Sequence, residues 1–166
     1  MGGCLSSSTK NANFTIYVKT GDRLSSGTDA NVKIILSDSN GNKTEALVLD
    51  KFFRNDFEKG STDAFPIKKP SHYGNDITDI EFWRDSAGLA SDWYVDRIAI
   101  ENMKTHDTFI FPVYRWIKAD FHYTIRHLDT SLPQYDPYSE QRKMELKDKM
   151  QHYQVHQKIK GGPAQV

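Results

Sequence analysis

Apolar positions recur with a period of two from Phe14 onward: Phe14, Ile16 and Val18 share one side of the chain, and Val32, Ile34 and Leu36 repeat the pattern. Such alternation puts one face of a strand in a core and the other in solvent. Further short apolar runs follow at Ala46 to Asp50, Ala64 to Ile67, Ile77 to Trp83, Trp93 to Glu101, Thr108 to Val113 and Phe121 to Arg126. Turn-rich pieces such as SDSNGNK and HYGND separate them. Eight short strands without helical periodicity between them predict an all-β chain, an antiparallel sandwich in preference to a barrel.

Past the last strand the pattern changes. In LPQYDPYSEQRKMELKDKMQHYQVHQ, Asp136 followed by Pro137 is a helix-start signal, and good helix formers continue to about Gln157. Met144, Met150 and Tyr153 make only a thin apolar stripe, so this helix needs a partner surface or serves as a connector. The opening MGGCLSSSTKNAN reads as a polar tail with nothing to bury, and KGGPAQV as a frayed end. The expected organisation is a tail over 1–13, a β-sandwich over 14–127, and a linker with a helix over 128–166.

Composition narrows the function. The 166 residues suffice for one well-buried core and not for a β-domain plus a typical catalytic domain. The 22 basic and 22 acidic residues cancel, so no nucleic-acid partner held by phosphate neutralisation is expected. Cys4 is the only cysteine, which excludes an intrachain disulfide and fits a cytoplasmic setting. No apolar run is long enough to span a bilayer and the start lacks the apolar segment of a signal peptide, so membrane contact is expected to be peripheral.

Three loops are rich in oxygen donors: LSSGTDAN (24–31), DKFFRNDFEKG (50–60) and RDSAGLASDWY (84–94). Calcium takes six to eight oxygens, and loops supply both carboxylates and uncommitted carbonyls. Gly27, Thr28, Asp29, Asn55, Asp56, Glu58 and Asp92 would make such a set; the same residue types also mark ordinary β-turns. The same loops carry Leu24, Phe52, Phe53 and Leu89 where turns are normally polar. Projecting together they would form an apolar tip, each side chain worth about 1.5–3 kcal/mol on burial in the acyl boundary. One of Phe52 and Phe53 is expected to fold back over the sandwich instead.

The runs IYVKTGDRLSSGTDANVKIIL, FFRNDFEKGSTDAF, SDWYVDRIAIEN and FPVYRWI resemble the PLAT domain, also called the lipoxygenase-homology or LH2 domain, most closely that at the N-terminus of animal and coral lipoxygenases. The likeness covers roughly Phe14 to Arg126, with TG, GTDA, NDFE and DWY in order at compatible distances, and DTSLPQYDPYSEQRKMELKDKMQHYQ is similar to the segment leading into the lipoxygenase catalytic domain. It implies a sandwich of two four-stranded sheets that binds calcium in the loops at one end. The family's ligand positions fall on Gly27, Thr28, Asp29, Asn55, Asp56, Glu58 and Asp92, with backbone oxygens near Ser25 and Leu89. Where the family often inserts tryptophans into membranes, this chain has Leu24, Phe52 or Phe53, and Gly88 or Leu89, while Trp116 matches a further family tryptophan that is equally a core or edge anchor.

No catalytic constellation is expected. The lipoxygenase iron is held mainly by histidines of the helical catalytic domain, whereas His152 and His156 are a lone pair at helical spacing, read as solvated. Cys4 has no triad partner nearby, and no nucleophile elbow or phosphate loop occurs. Met1-Gly2 with Ser6 fits an N-myristoylation pattern and Cys4 sits where palmitate is commonly added; a plain tail is the alternative. The expectation is a calcium-dependent module that brings a lipoxygenase-type activity to phospholipid membranes, with a lipoxygenase catalytic domain as a further partner. A protein-interaction adaptor indifferent to calcium and lipid is the competing reading.

Overall fold

A computed structural model describes residues 12–50, 56–88, 92–129 and 133–152. Eight strands are present: β1 (Phe14–Thr20), β2 (Val32–Ser37), β3 (Leu47–Leu49), β4 (Thr62–Ile67), β5 (Asp79–Arg84), β6 (Trp93–Asn102), β7 (Thr108–Ile117) and β8 (Tyr123–Arg126). They form two four-stranded antiparallel sheets, in the orders β4-β1-β6-β7 and β3-β2-β5-β8. The all-β sandwich expected from the alternation is the fold.

The alternation also explains the core. Phe14, Ile16, Val18, Ile98, Ile100 and Phe111 of one sheet and Val32, Ile34, Leu36, Ile80 and Phe82 of the other are all buried. Their outward neighbours, such as Tyr17, Lys33 and Glu81, stay partly wet. Trp93, fully buried at the start of β6, meets Phe82 edge-on at 6.4 Å and donates its indole N–H to Thr20 Oγ1 at 3.1 Å. A buried indole requires such an acceptor, and Thr20 supplies it from the end of β1.

Strand boundaries depart from the pattern where a local signal misleads. β7 runs past Val113 to Ile117, through Pro112 and the inward-facing Arg115. It tolerates Pro112 because β7 is a sheet edge and Pro112 faces a register shift of β6 between Val95 and Arg97, where a missing N–H costs little. β8 begins at Tyr123, since Asp120 adopts φ 56° and donates its N–H to Arg84 O at 2.9 Å, turning the chain before pairing starts.

The chain divides into two compact units at Thr130/Ser131. In the second, helix α1 spans Ser139–His152, beginning three residues after Asp136; residues 153–157 lie outside the described residues. Asp136 accepts the Tyr138 N–H at 2.9 Å and pairs with Arg142 at 3.2 Å, so it braces the turn ahead of the helix, and Pro137 lies in that turn. Met144, Leu146 and Met150 are all exposed on it. Tyr153 and His156 lie outside the described residues. No helix among the described residues is long and apolar enough to cross a membrane.

Candidate metal and membrane-binding site

The loop after β1 is stitched to its neighbours by backbone hydrogen bonds. Gly21 N–H donates to Tyr94 O at 2.9 Å, Tyr94 N–H to Ser26 O at 3.0 Å, Gly60 N–H to Gly21 O at 3.1 Å and Thr28 N–H to Phe57 O at 3.2 Å. Ser26, fully buried, adds a hydroxyl bond to Gly21 O. Backbone donors and acceptors drawn inward must be paired, and here the pairing joins this loop to β6 and to the β3–β4 loop.

Glycines let the loops close. A Cβ on Gly27 would stand 3.0 Å from Phe57 O and 3.3 Å from Lys59 N, so only a bare backbone fits against residues 57–59. Gly88, at φ 87°, would bring a Cβ within 3.2 Å of Asp29 Cβ. Gly27, Thr28 and Asp29 are thereby brought against both other loops.

The β3–β4 loop is held from inside. Phe57 is 3% exposed, stacks on Phe65 at 5.4 Å and meets Trp93 edge-on at 4.9 Å. Its φ of 63° is unusual for a bulky residue. Asp63 Oδ2 fixes that turn, accepting the Phe57 N–H at 2.9 Å and the Ser61 hydroxyl at 2.7 Å. Phe57 separates Asp56, half-buried with its Oδ1 enclosed, from the exposed Glu58, so burying the ring fixes one acidic residue on either side of it.

The expected ligands are not all equally placed. Thr28 is buried and its hydroxyl oxygen accepts the Ala30 N–H at 3.2 Å. Asp92 is paired with the buried Arg84, Oδ1 to Nη2 at 3.3 Å, while Arg84 Nε also donates to Ile117 O at 2.9 Å. Ser25 is exposed at φ 57°, a left-handed turn residue. Leu24 is 87% exposed, as an apolar tip requires. Trp116 is half-buried and meets Tyr94 edge-on at 5.2 Å, an anchor on the sheet. Asn55, Phe52, Phe53, Leu89, Gly2 and Cys4 lie outside the described residues.

The side chains of these loops offer carboxylate, amide and hydroxyl oxygens and neither imidazole nor thiol, the donor chemistry of a hard cation. Among the described residues no three His, Cys, Asp or Glu side chains gather closely enough to hold a metal by themselves. Calcium in these loops would need further oxygens beside the carboxylates, and backbone carbonyls and amide side chains are of the kind that serve. Phe57 and Arg84 were missed in the sequence: an aromatic between two acids reads as a loop residue, and an arginine ending a strand as solvated.

Comparison with known proteins agrees with this fold. The PLAT/LH2 domain model matches residues 14–132. An allene oxide synthase-lipoxygenase protein of Plexaura homomalla is 34% identical over 161 residues, covering 92% of this chain and 14% of that protein. The crystal structure of coral 8R-lipoxygenase, for which calcium activation via a C2-like domain is described, superposes with a TM-score of 0.62 at 34% identity, over 85% of this chain and 21% of that one. A calcium-dependent 11R-lipoxygenase gives a TM-score of 0.55 at 34% identity, over 83% of this chain and 21% of that one. This chain thus spans a seventh to a fifth of the lipoxygenases it matches. Two four-stranded antiparallel sheets, the loop motifs in their order and these likenesses together make this chain a member of the PLAT/LH2 domain family.

Proposed function

We propose that this chain is a calcium-dependent membrane-binding module that brings a lipoxygenase-type, lipid-metabolising activity to a phospholipid surface and takes no part in the chemistry itself. One observation carries the reading: Gly27 and Thr28 lie against residues 57–59 and Asp29 against Gly88, with Leu24 87% exposed in the same loop. Oxygen donors and the exposed Leu24 thus occur in loops that touch one another, which supports the reading.

In this reading calcium is held by Gly27, Thr28, Asp29, Asn55, Asp56, Glu58 and Asp92, with carbonyls near Ser25 and Leu89. For Asp92 that means exchanging Arg84 for the ion. Bound calcium supplies positive charge that offsets these carboxylates, which would otherwise repel an anionic bilayer. Leu24, Phe52, Phe53 and Leu89 then enter the acyl boundary. Residues 14–127 act as the module and 128–166 as the connector to a lipoxygenase catalytic domain, with the protein cytoplasmic and peripheral on its membrane. The calcium activation described for coral 8R-lipoxygenase and the calcium dependence of the 11R enzyme support the assignment.

The test is co-sedimentation of the chain with anionic liposomes during a calcium titration, repeated with chelator. Sedimentation that appears with calcium and reverses with chelator is expected. A chain that stays in the supernatant at millimolar calcium refutes the reading and leaves the calcium-independent adaptor in its place.

A further inference from the structure

Arg23 stands beside Leu24 at the tip of the loop after β1 and is only half-exposed. Its guanidinium carbon lies 4.0 Å from the centroid of the Tyr94 ring. Tyr94 is itself 3% exposed and is met edge-on by Trp116 at 5.2 Å, so the platform beneath the arginine is fixed by the sheet. The nearest acid in sequence, Asp22, is taken by Lys59 at 3.3 Å. Among the described residues no oxygen accepts a hydrogen bond from Arg23 and no carboxylate pairs with it. A cation held on an aromatic face keeps its N–H donors for an external acceptor.

The position of this guanidinium selects the acceptor. Consecutive Cα atoms are about 3.8 Å apart, so when the exposed Leu24 enters the acyl boundary Arg23 stands at headgroup depth. The acceptors met there are phosphodiester oxygens, which the planar guanidinium fork matches two at a time.

We propose that Arg23, pre-set on Tyr94, is a headgroup site that grips the phosphate of a membrane phospholipid once Leu24 is buried. The proposal rests on the membrane-binding reading above and adds to it a ligand and a residue that reads it. Pre-ordering matters because an arginine already fixed on a ring loses little further freedom on binding.

The experiment compares the full chain with Arg23→Gln and Arg23→Lys at saturating calcium. Two vesicle types carry the same acyl chains: one of phosphatidylcholine and phosphatidylserine, the other of uncharged galactolipid without phosphate. Arg23→Gln is expected to lower affinity for phospholipid vesicles about tenfold, and for galactolipid vesicles less than twofold. Arg23→Lys, which keeps the charge and loses the fork, is expected to recover less than half of that loss on a logarithmic scale. Calcium affinity without lipid, read by calorimetry, stays unchanged in both.

Equal phospholipid binding by wild type and Arg23→Gln overturns the proposal while leaving the membrane reading intact. Equal losses on both vesicle types, or full recovery by Arg23→Lys, overturn phosphate recognition by the fork. Failure of the wild type to bind phospholipid vesicles with calcium refutes the membrane reading, and this proposal with it.

Discussion

Phe57→Ala tests whether the β3–β4 loop is anchored through the core. The ring is 3% exposed, and full burial of a phenylalanine is worth about 1.5–3 kcal/mol. Its contacts with Phe65 at 5.4 Å and Trp93 at 4.9 Å add about 0.5–1.5 kcal/mol each beyond area. The left-handed φ of 63° persists in alanine, so the substitution relieves no backbone strain. Together with the cavity left behind, the loss is expected at about 3–5 kcal/mol. With a urea m-value of about 2 kcal/mol/M, that moves the unfolding midpoint down by roughly 2 M at unchanged m. Circular dichroism in chelator reads this directly. Phe57→Leu, which refills most of the volume, is expected to lose less than about 1.5 kcal/mol. A loss under about 1 kcal/mol for Phe57→Ala would refute the anchoring argument, and with it the account of how Asp56 and Glu58 are fixed on either side of the ring.

Other predictions follow from the same geometry. Leu24→Ser is expected to leave stability within about 0.5 kcal/mol and to weaken calcium-dependent vesicle binding about tenfold or more; unaltered vesicle affinity would remove Leu24 from the tip. Asp56→Ala is expected to lower calcium affinity strongly by calorimetry while the protein stays folded in chelator, and unfolding there would show a structural role instead. Asp38 is a pH case. Burial pushes its carboxyl up, but hydrogen bonds from the Asn42 side chain and the Gly74, Asn42 and Asn40 N–H groups outweigh that and hold it below the ordinary 3.8. A depressed folded value contributes stability that is present above pH 3.8 and is lost as pH falls through the lower folded value. Asp38→Asn should therefore lower stability at pH 7 and flatten its acid dependence below pH 4, and an unchanged acid limb in urea titrations would contradict this.

The eight strands were legible because each buries alternate residues on a single core face, and period two survives in the residues themselves: Phe14, Ile16 and Val18, or Val32, Ile34 and Leu36. Ends were less legible, since they depend on partners. The strand read over Thr108 to Val113 continues to Ile117, its further inward positions being taken by the buried Arg115 and Ile117, and Asp136-Pro137 reads as a helix start until Asp136 is seen bracing Tyr138 and Arg142. In the loops, residue type signalled oxygen chemistry, but only folding reveals which groups are already engaged. The Thr28 hydroxyl is turned back on Ala30 and Asp92 is held by Arg84, neither visible as a pattern along the chain. Arg23 is similar, for its platform Tyr94 lies far along the chain.

The place of β1 has a consequence for biosynthesis. It is the first strand of the sandwich to be synthesised, yet it lies inside its sheet between β4 and β6, with Phe14 opposite both Ile67 and Asn102. Half of its hydrogen-bonding partners therefore do not exist until translation has passed Asn102, on the order of ten seconds after β1 itself at typical synthesis rates. Throughout that interval Phe14, Ile16 and Val18 form an unshielded apolar strand with a free edge, the kind of segment that holding chaperones cover and that pairs wrongly with a neighbouring nascent chain. Yield on expression should respond more to the edge and polarity of this early strand than to any change in the late β7 or β8.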